Sequence, residues 1–267
     1  MTRDIVLIHG AFAGPSCMDL YAGYFRRQGW TVHTPALRHH GGDPAADPDP
    51  GLAETSISDF TDDIAALAGS IGTRPVLLGH AVGGLVAQKV AARGLASAVV
   101  LINPNAPYGL LPATDDERAV ARGLMEAGAF WTAPMRLPFE MFADFAFNRL
   151  PEADQHRVYD QMGAESGRVM FEMFFWMFDD AAAIKVPFDD VTCPVLVVSG
   201  TEDKAVNPAS CRDLVTRYAG RATFMAAEDH AHFLFLEPGW ERIATRIGDW
   251  LGQNLTCETV GRDETGM

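Results

Sequence analysis

Residues 76–84, VLLGHAVGG, admit few folds. Val76, Leu77 and Leu78 form a short apolar run after Pro75, and residues 85–92 continue at helical spacing, so the glycines between them stand where a buried strand turns sharply into a helix. Gly79, Gly83 and Gly84 let the two arms approach closely and leave the turn residue free to take a strained backbone. The residue at the apex is Ala81.

Strand and helix signals alternate on either side of this elbow. Residues 4–9 are a β-branched run ending at Gly10, the form of a central parallel strand buried on both faces. The loop HGAFAGPSCM follows, then a helix over 18–28 closed by Gly29, and a strand over 30–34. The proline-rich stretch after Arg38 reads as loop, with His39 and His40 on a solvated segment or pocket rim, since neighbouring side chains diverge and no third metal ligand is in view. Residues 57–71 place Ile57, Phe60, Ile64, Leu67 and Ile71 on one stripe, with Ser56 or Ser58 as the cap and Asp59, Asp62 and Asp63 on a solvated face. Further strands are expected over 98–103, 194–200 and 222–226, and helices over 209–218 and 238–251.

Between 107 and 187 strand alternation disappears, and helical stretches punctuated by prolines indicate an all-helical insertion, with helices over 115–129, 139–150, 152–162 and 166–178. Residues 1–106 and 188–255 then form the core, and 256–267 a frayed, flexible tail. The run MFEMFFWMFDD carries too many large apolar groups for one helical face. It is expected both to pack on the core and to line an apolar pocket, with Phe12, Phe174, Trp176 and Met177 as wall residues. The same apolar insertion is a candidate homodimer surface.

Lysine and arginine number 21 against 35 acidic residues, a net charge of −14. That balance argues against nucleic acid and anionic membrane surfaces as partners and reads as a solvated acidic surface. A small apolar molecule is the ligand expected from the Met, Phe and Trp content of the insertion. Cys17, Cys193, Cys211 and Cys257 form no CxxC pair, and the N-terminal apolar run is too short for a signal peptide or membrane span, so a cytoplasmic protein is expected. His9, His33, His80 and His156 are read as satisfied structural positions.

Gly79-His80-Ala81-Val82-Gly83 resembles the nucleophile elbow of the α/β-hydrolase superfamily, glycine-x-serine-x-glycine, at every position but the nucleophile. The resemblance implies an α/β-hydrolase fold: a mostly parallel central sheet flanked by helices, with a helical cap inserted after the sixth family strand. It places the acid after the strand at 194–200, where Asp203 matches and Glu202 fits less well. It places the histidine at His232, before Phe233 and Glu237, with His230 the poorer fit. A His230–His232 metal pair lacks a convincing third ligand. Ala11 matches the loop donor of the oxyanion hole, with Phe12 the lesser candidate, and Val82 is the second donor. No cofactor is called for.

The first half looks most like small serine esterases and plant methylesterase or hydroxynitrile-lyase relatives, and the Met, Phe and Trp content of the insertion makes an apolar or aromatic carboxylic ester the expected substrate, with thioester, lactone or amide next. A methyl group cannot attack a carbonyl. The favoured explanation of Ala81 is an engineered replacement of serine that silences the enzyme. The alternatives are a natural ligand-binding pseudoenzyme, or a lyase, isomerase or cyclase using His232 and Asp203 as its base.

Overall fold

A computed structural model describes residues 3–109, 115–126 and 128–255. Strands β1 (Asp4–Ile8), β2 (Thr31–His33), β3 (Val76–His80) and β4 (Ala98–Ile102) alternate with helices α1 (Asp19–Arg27), α2 (Ile57–Ser70) and α3 (Val82–Ala92). Then come α4 (Asp115–Glu126), β5 (Pro134–Met135), α5 (Phe139–Phe145), α6 (Glu152–Tyr159), β6 (Glu165–Ser166) and α7 (Gly167–Phe174). The chain ends its described course with β7 (Val195–Gly200), α8 (Pro208–Thr216), β8 (Ala222–Ala227) and α9 (Trp240–Leu255).

The main sheet has the order β2-β1-β3-β4-β7-β8, and every pairing in it is parallel. Parallel neighbours need crossovers, and the helices that make them cover both faces. Alternate residues therefore enter two separate apolar layers. Ile5, Leu7, Leu78 and Val100 pack with Tyr21, Phe25, Ile243 and Ile247 of α1 and α9. Val6, Ile8, Leu77 and Leu101 pack with Phe60, Ile64, Leu85 and Val86 of α2 and α3. The chain crosses from β2 over β1 to β3, so strand order reverses there, and the carboxyl ends of β1 and β3 open the crevice where such sheets bind ligands.

Ser56 caps α2 in a reciprocal box with Asp59, which settles the choice between the two serines. Asp59 and Asp63 are also bridged by Arg38 rather than merely solvated, at 2.9 and 2.6 Å.

The segment between β4 and β7 departs from the all-helical expectation. β5 and β6 form a two-stranded antiparallel ladder, Pro134 opposite Ser166 and Met135 opposite Glu165. Two-residue strands are too short to show alternation in a sequence. α5 stops at Phe145 rather than 150, and α7 stops at Phe174, followed by a single 3-10 turn over Trp176–Phe178. The described cysteines Cys17, Cys193 and Cys211 are buried and form no disulfide. The tail at 256–267, including Cys257, lies outside the described residues.

Candidate active site

At the end of β3 the chain turns through Ala81 at φ 49°, ψ −115°, and enters α3. A non-glycine residue held there costs on the order of 1–3 kcal/mol, so its surroundings must impose the conformation. They do so by backbone packing. A Cβ on Gly79 would overlap the Gly83 carbonyl, and one on Gly83 would overlap the Ile8 carbonyl of β1. The Ala81 N–H continues the ladder to the Ile102 carbonyl at 3.0 Å, while its own carbonyl accepts from Gly84, Leu85 and Asn105.

Asp203 and His232, 29 positions apart, meet beside this turn. His232 Nδ1 lies 2.9 Å from Asp203 Oδ2, while Oδ1 accepts from the N–H groups of Ala205 (2.8 Å) and Val206 (2.9 Å). A carboxylate only accepts, so Nδ1 carries the proton and Nε2 of the neutral ring is bare. His230 turns away: its Nδ1 pairs with Glu237 Oε2 at 3.1 Å, and the same oxygen accepts from the Ala231 N–H at 2.8 Å. The two histidines thus have separate carboxylates. Among the described residues no group of three His, Cys, Asp or Glu side chains is placed to hold a metal.

Asn103, at the end of β4, binds both loops. Its Nδ2 donates to the Ala231 and His232 carbonyls, each at 2.9 Å, and its Oδ1 accepts from the Gly200 N–H at 2.8 Å. Nothing in the neighbouring sequence assigns it this role. The available signal was an uncharged polar residue ending an otherwise wholly apolar strand.

His80 is not the satisfied residue expected. Its Nε2 donates to the His232 carbonyl at 3.0 Å, and its buried Nδ1 has no partner among the described residues. Burial first, and the neighbouring His232 second, hold its pKa well below that of a free histidine. His9 does fit the expectation: Nε2 accepts from the Leu37 N–H at 3.0 Å, Nδ1 faces the Gly10 carbonyl at 2.9 Å, and burial lowers its pKa to about 4. His33 pairs with Asp4 at 2.9 Å, and His156 stacks on Phe139.

Ala81, Ala11, His80 and His232 open onto a cavity of about 130 Å³ whose other walls include Phe12, Phe142, Met170, Met173, Phe174 and Phe233. Phe12 and Phe174, two of the expected wall residues, both line this cavity. Trp176 and Met177 do not line it: the Trp176 ring packs 4.4 Å from Tyr108, and Met177 is 50% exposed. The reason is the break at Phe175, φ −122°, ψ 29°, which turns the chain off the helical path. Met141 and Phe142 of α5, unnoticed in the sequence, complete the wall.

Val82 is the first residue of α3, a position whose N–H has no intrahelical acceptor. Among the described residues neither its N–H nor that of Ala11 has a hydrogen-bond acceptor. The Phe12 N–H, the lesser oxyanion candidate, is already engaged by Glu165 Oε2 at 3.2 Å. His39 stays on the loop rim, 3.1 Å from Asp49, but His40 is buried against Glu165, contrary to the solvated reading. On the far side of Phe12 a wider basin of about 680 Å³, of mixed polar and apolar lining, lies between the His39–Asp49 loop and Gln161.

No curated protein sequence matches the chain significantly. Solved structures do. An esterase from Thermogutta terrifontis superposes with TM-score 0.68 at 19% identity, covering 95% of this chain and 90% of the other. An extracellular α/β-hydrolase from a Paenibacillus species, described as sharing structural and functional homology with tobacco salicylic acid binding protein 2, gives 0.71 at 21%, covering 92% and 98%. Tomato methylketone synthase I, solved with 2-tridecanone and in a variant form with β-ketoheptanoate, gives 0.71 at 15% in the first of these, covering 95% and 99%. At such identities the likeness is one of fold. The alpha/beta hydrolase family model matches residues 5–245, nearly the whole chain, and the protein belongs to that family.

Proposed function

We propose that the crevice is an esterase-type site for an apolar carboxylic ester, or a related thioester, lactone or amide, in which Ala81 stands at the nucleophile position. The observation that carries this reading is the His232–Asp203 pair at 2.9 Å, whose histidine opens with Ala81 onto one apolar cavity. With serine at 81, His232 takes the hydroxyl proton, Asp203 holds the imidazole tautomer and stabilises its cation, and the N–H groups of Ala11 and Val82 bind the tetrahedral oxyanion. His232 then returns the proton to the leaving alcohol, and water releases the acid by the same steps. The segment between β4 and β7 acts as a cap whose aromatic and methionine side chains select the acyl group. Losing the nucleophile of such a triad costs about 10⁶ in turnover, roughly 8 kcal/mol of barrier, while binding persists. The chain with Ala81 therefore binds ester substrates and scarcely turns them over.

The test compares hydrolysis of p-nitrophenyl acyl esters of several chain lengths by this chain and by Ala81→Ser. A rise of about 10⁵-fold or more is expected. A folded Ala81→Ser protein without activity on any of them sinks the reading.

A second reading is favoured by the completeness of the pair without a nucleophile. Here His232 exchanges a proton with a carbonyl compound held by the same two N–H groups, with no covalent intermediate. The tomato neighbour, a methylketone synthase seen with a ketone and a β-keto acid, suggests the probe. His232 takes the carboxyl proton of a β-keto acid; breaking the C–C bond then releases CO2 and leaves an enolate, which the N–H groups stabilise and to whose carbon His232 returns that proton. Decarboxylation of β-ketoheptanoate by the unaltered chain, abolished in His232→Ala, separates this reading from the first.

A further inference from the structure

Phe12, immediately after Ala11, lies at φ 62°, in the left-handed region a phenylalanine does not favour. Both of its backbone polar groups are taken by the segment between β4 and β7. Its N–H donates to Glu165 Oε2 at 3.2 Å, and its carbonyl accepts from the Gly163 N–H at 2.6 Å. Glu165 opens β6 and is fully buried; its Oε1 accepts from the Ser166 N–H at 2.7 Å. Oε2 also faces His40 Nε2 at 3.2 Å, while His40 Nδ1 lies 2.8 Å from the Arg38 carbonyl. A carboxylate and a carbonyl both only accept, so His40 uses both ring nitrogens as donors and is the imidazolium. The adjacent His9 ring, 5.5 Å away, is neutral and bonded elsewhere, and Phe60 closes the other side. Glu165 and His40 are thus a buried ion pair in which Oε1 serves the adjacent Ser166 N–H and Oε2 reaches across to the peptide joining Ala11 to Phe12.

We propose that Glu165, with His40 as its counter-ion, is a positioning residue. From the inserted segment it clamps the Ala11–Phe12 peptide, and this holds the preceding Ala11 N–H towards the cavity. Docking of the insertion and formation of the oxyanion site are then one event. The adjacent histidines of the RHHGG loop have distinct work, His39 at the rim and His40 under it. The role in catalysis rests on the esterase reading of Ala11 above; the clamp itself does not.

Two measurements test it. In an Ala81→Ser background, Glu165→Ala is expected to lower kcat on a p-nitrophenyl ester about 100-fold, the loss of one well-aimed oxyanion donor, with KM nearly unchanged. Glu165→Gln, which keeps an acceptor for the Phe12 N–H, is expected to recover most of that. In the chain with Ala81, amide hydrogen exchange at residues 10–14 is expected to accelerate about 100-fold in Glu165→Ala, with the β3 and β4 amides unaffected. A Glu165→Ala kcat within about twofold of its background, or a loss that appears wholly in KM, overturns the catalytic role. Unchanged exchange at Phe12 overturns the clamp. An inert Ala81→Ser protein removes the esterase reading alone, and the exchange comparison then decides the clamp by itself. If Glu165→Ala does not fold, Glu165→Leu, which removes the acceptor while keeping most of the buried volume, carries both measurements with the same expected losses.

Discussion

The elbow and the inserted segment occupy the same crevice but are held by different forces. Around Ala81 the fit is backbone on backbone: Gly79 against Gly83, Gly83 against β1, and strands buried along their whole length. The inserted segment has short elements and docks through buried carboxylates that reach backbone N–H groups of the core. Glu165 serves the Phe12 N–H, and Glu172 Oε2 accepts from the Ile57 N–H at the start of α2 at 2.8 Å, with Arg168 at 3.0 Å on its other oxygen. Close packing without side chains tolerates no added atom. A carboxylate dock tolerates changes of shape as long as an acceptor remains.

The sharpest break of this contrast is Gly83→Val. Its Cβ meets main-chain carbonyls that cannot move aside, so a loss of about 4 kcal/mol or more, or failure to fold, is expected in urea unfolding. A mild effect there removes the claim that the elbow is fixed by backbone contact.

Glu172 gives the complementary case. Burial raises its carboxyl pKa above the usual value, against the lowering effect of its hydrogen bonds and Arg168, so the charge is a cost and the accepted hydrogen bond the gain. Glu172→Ala is expected to cost about 2 kcal/mol, and Glu172→Gln less than about 1. Equal losses would place the benefit in the charge instead.

Within the inserted segment, Phe174→Ala is expected to weaken binding of an aromatic ester by about tenfold, from lost apolar burial, by titration calorimetry on the chain with Ala81. Met177→Ala, three residues on and half exposed, should leave it unchanged.

The smallest effect concerns His40. Burial lowers its pKa, but the charge of Glu165 and hydrogen bonds to Glu165 and the Arg38 carbonyl outweigh this and leave it raised. A raised folded value means that the His40 contribution is complete below the unfolded value of about 6.5 and is lost as pH rises through the folded one. Stability of the parent relative to His40→Gln should fall across that window on the alkaline side. A flat difference would mean that the pair is not ionised.

Much of the core was legible in the sequence. Five parallel pairings follow from β-branched runs alternating with amphipathic helices, and the glycines around position 81 announce the elbow, because both signals are local and periodic. Asp203 and His232 were assignable only through the resemblance to the α/β-hydrolase pattern, and the structure brings them to 2.9 Å. What was not legible depends on contacts over long separations. His40 and Glu165 are 125 positions apart and neither neighbourhood hints at the other. Asn103 ends an apolar strand, and nothing local shows that its amide joins the loops at Gly200 and His232. Residues 166–178 looked like one helix with Phe174, Trp176 and Met177 on the pocket wall, because composition does not reveal the break at Phe175.

The sequence by itself determined the parallel α/β sheet, the elbow and the methyl at its apex, since backbone sterics and hydrophobic periodicity act between near neighbours. Only the tertiary structure decided which polar groups were buried together. Burial makes an unpaired polar group costly, and the partners that relieve the cost come from wherever the chain returns, not from adjacent positions.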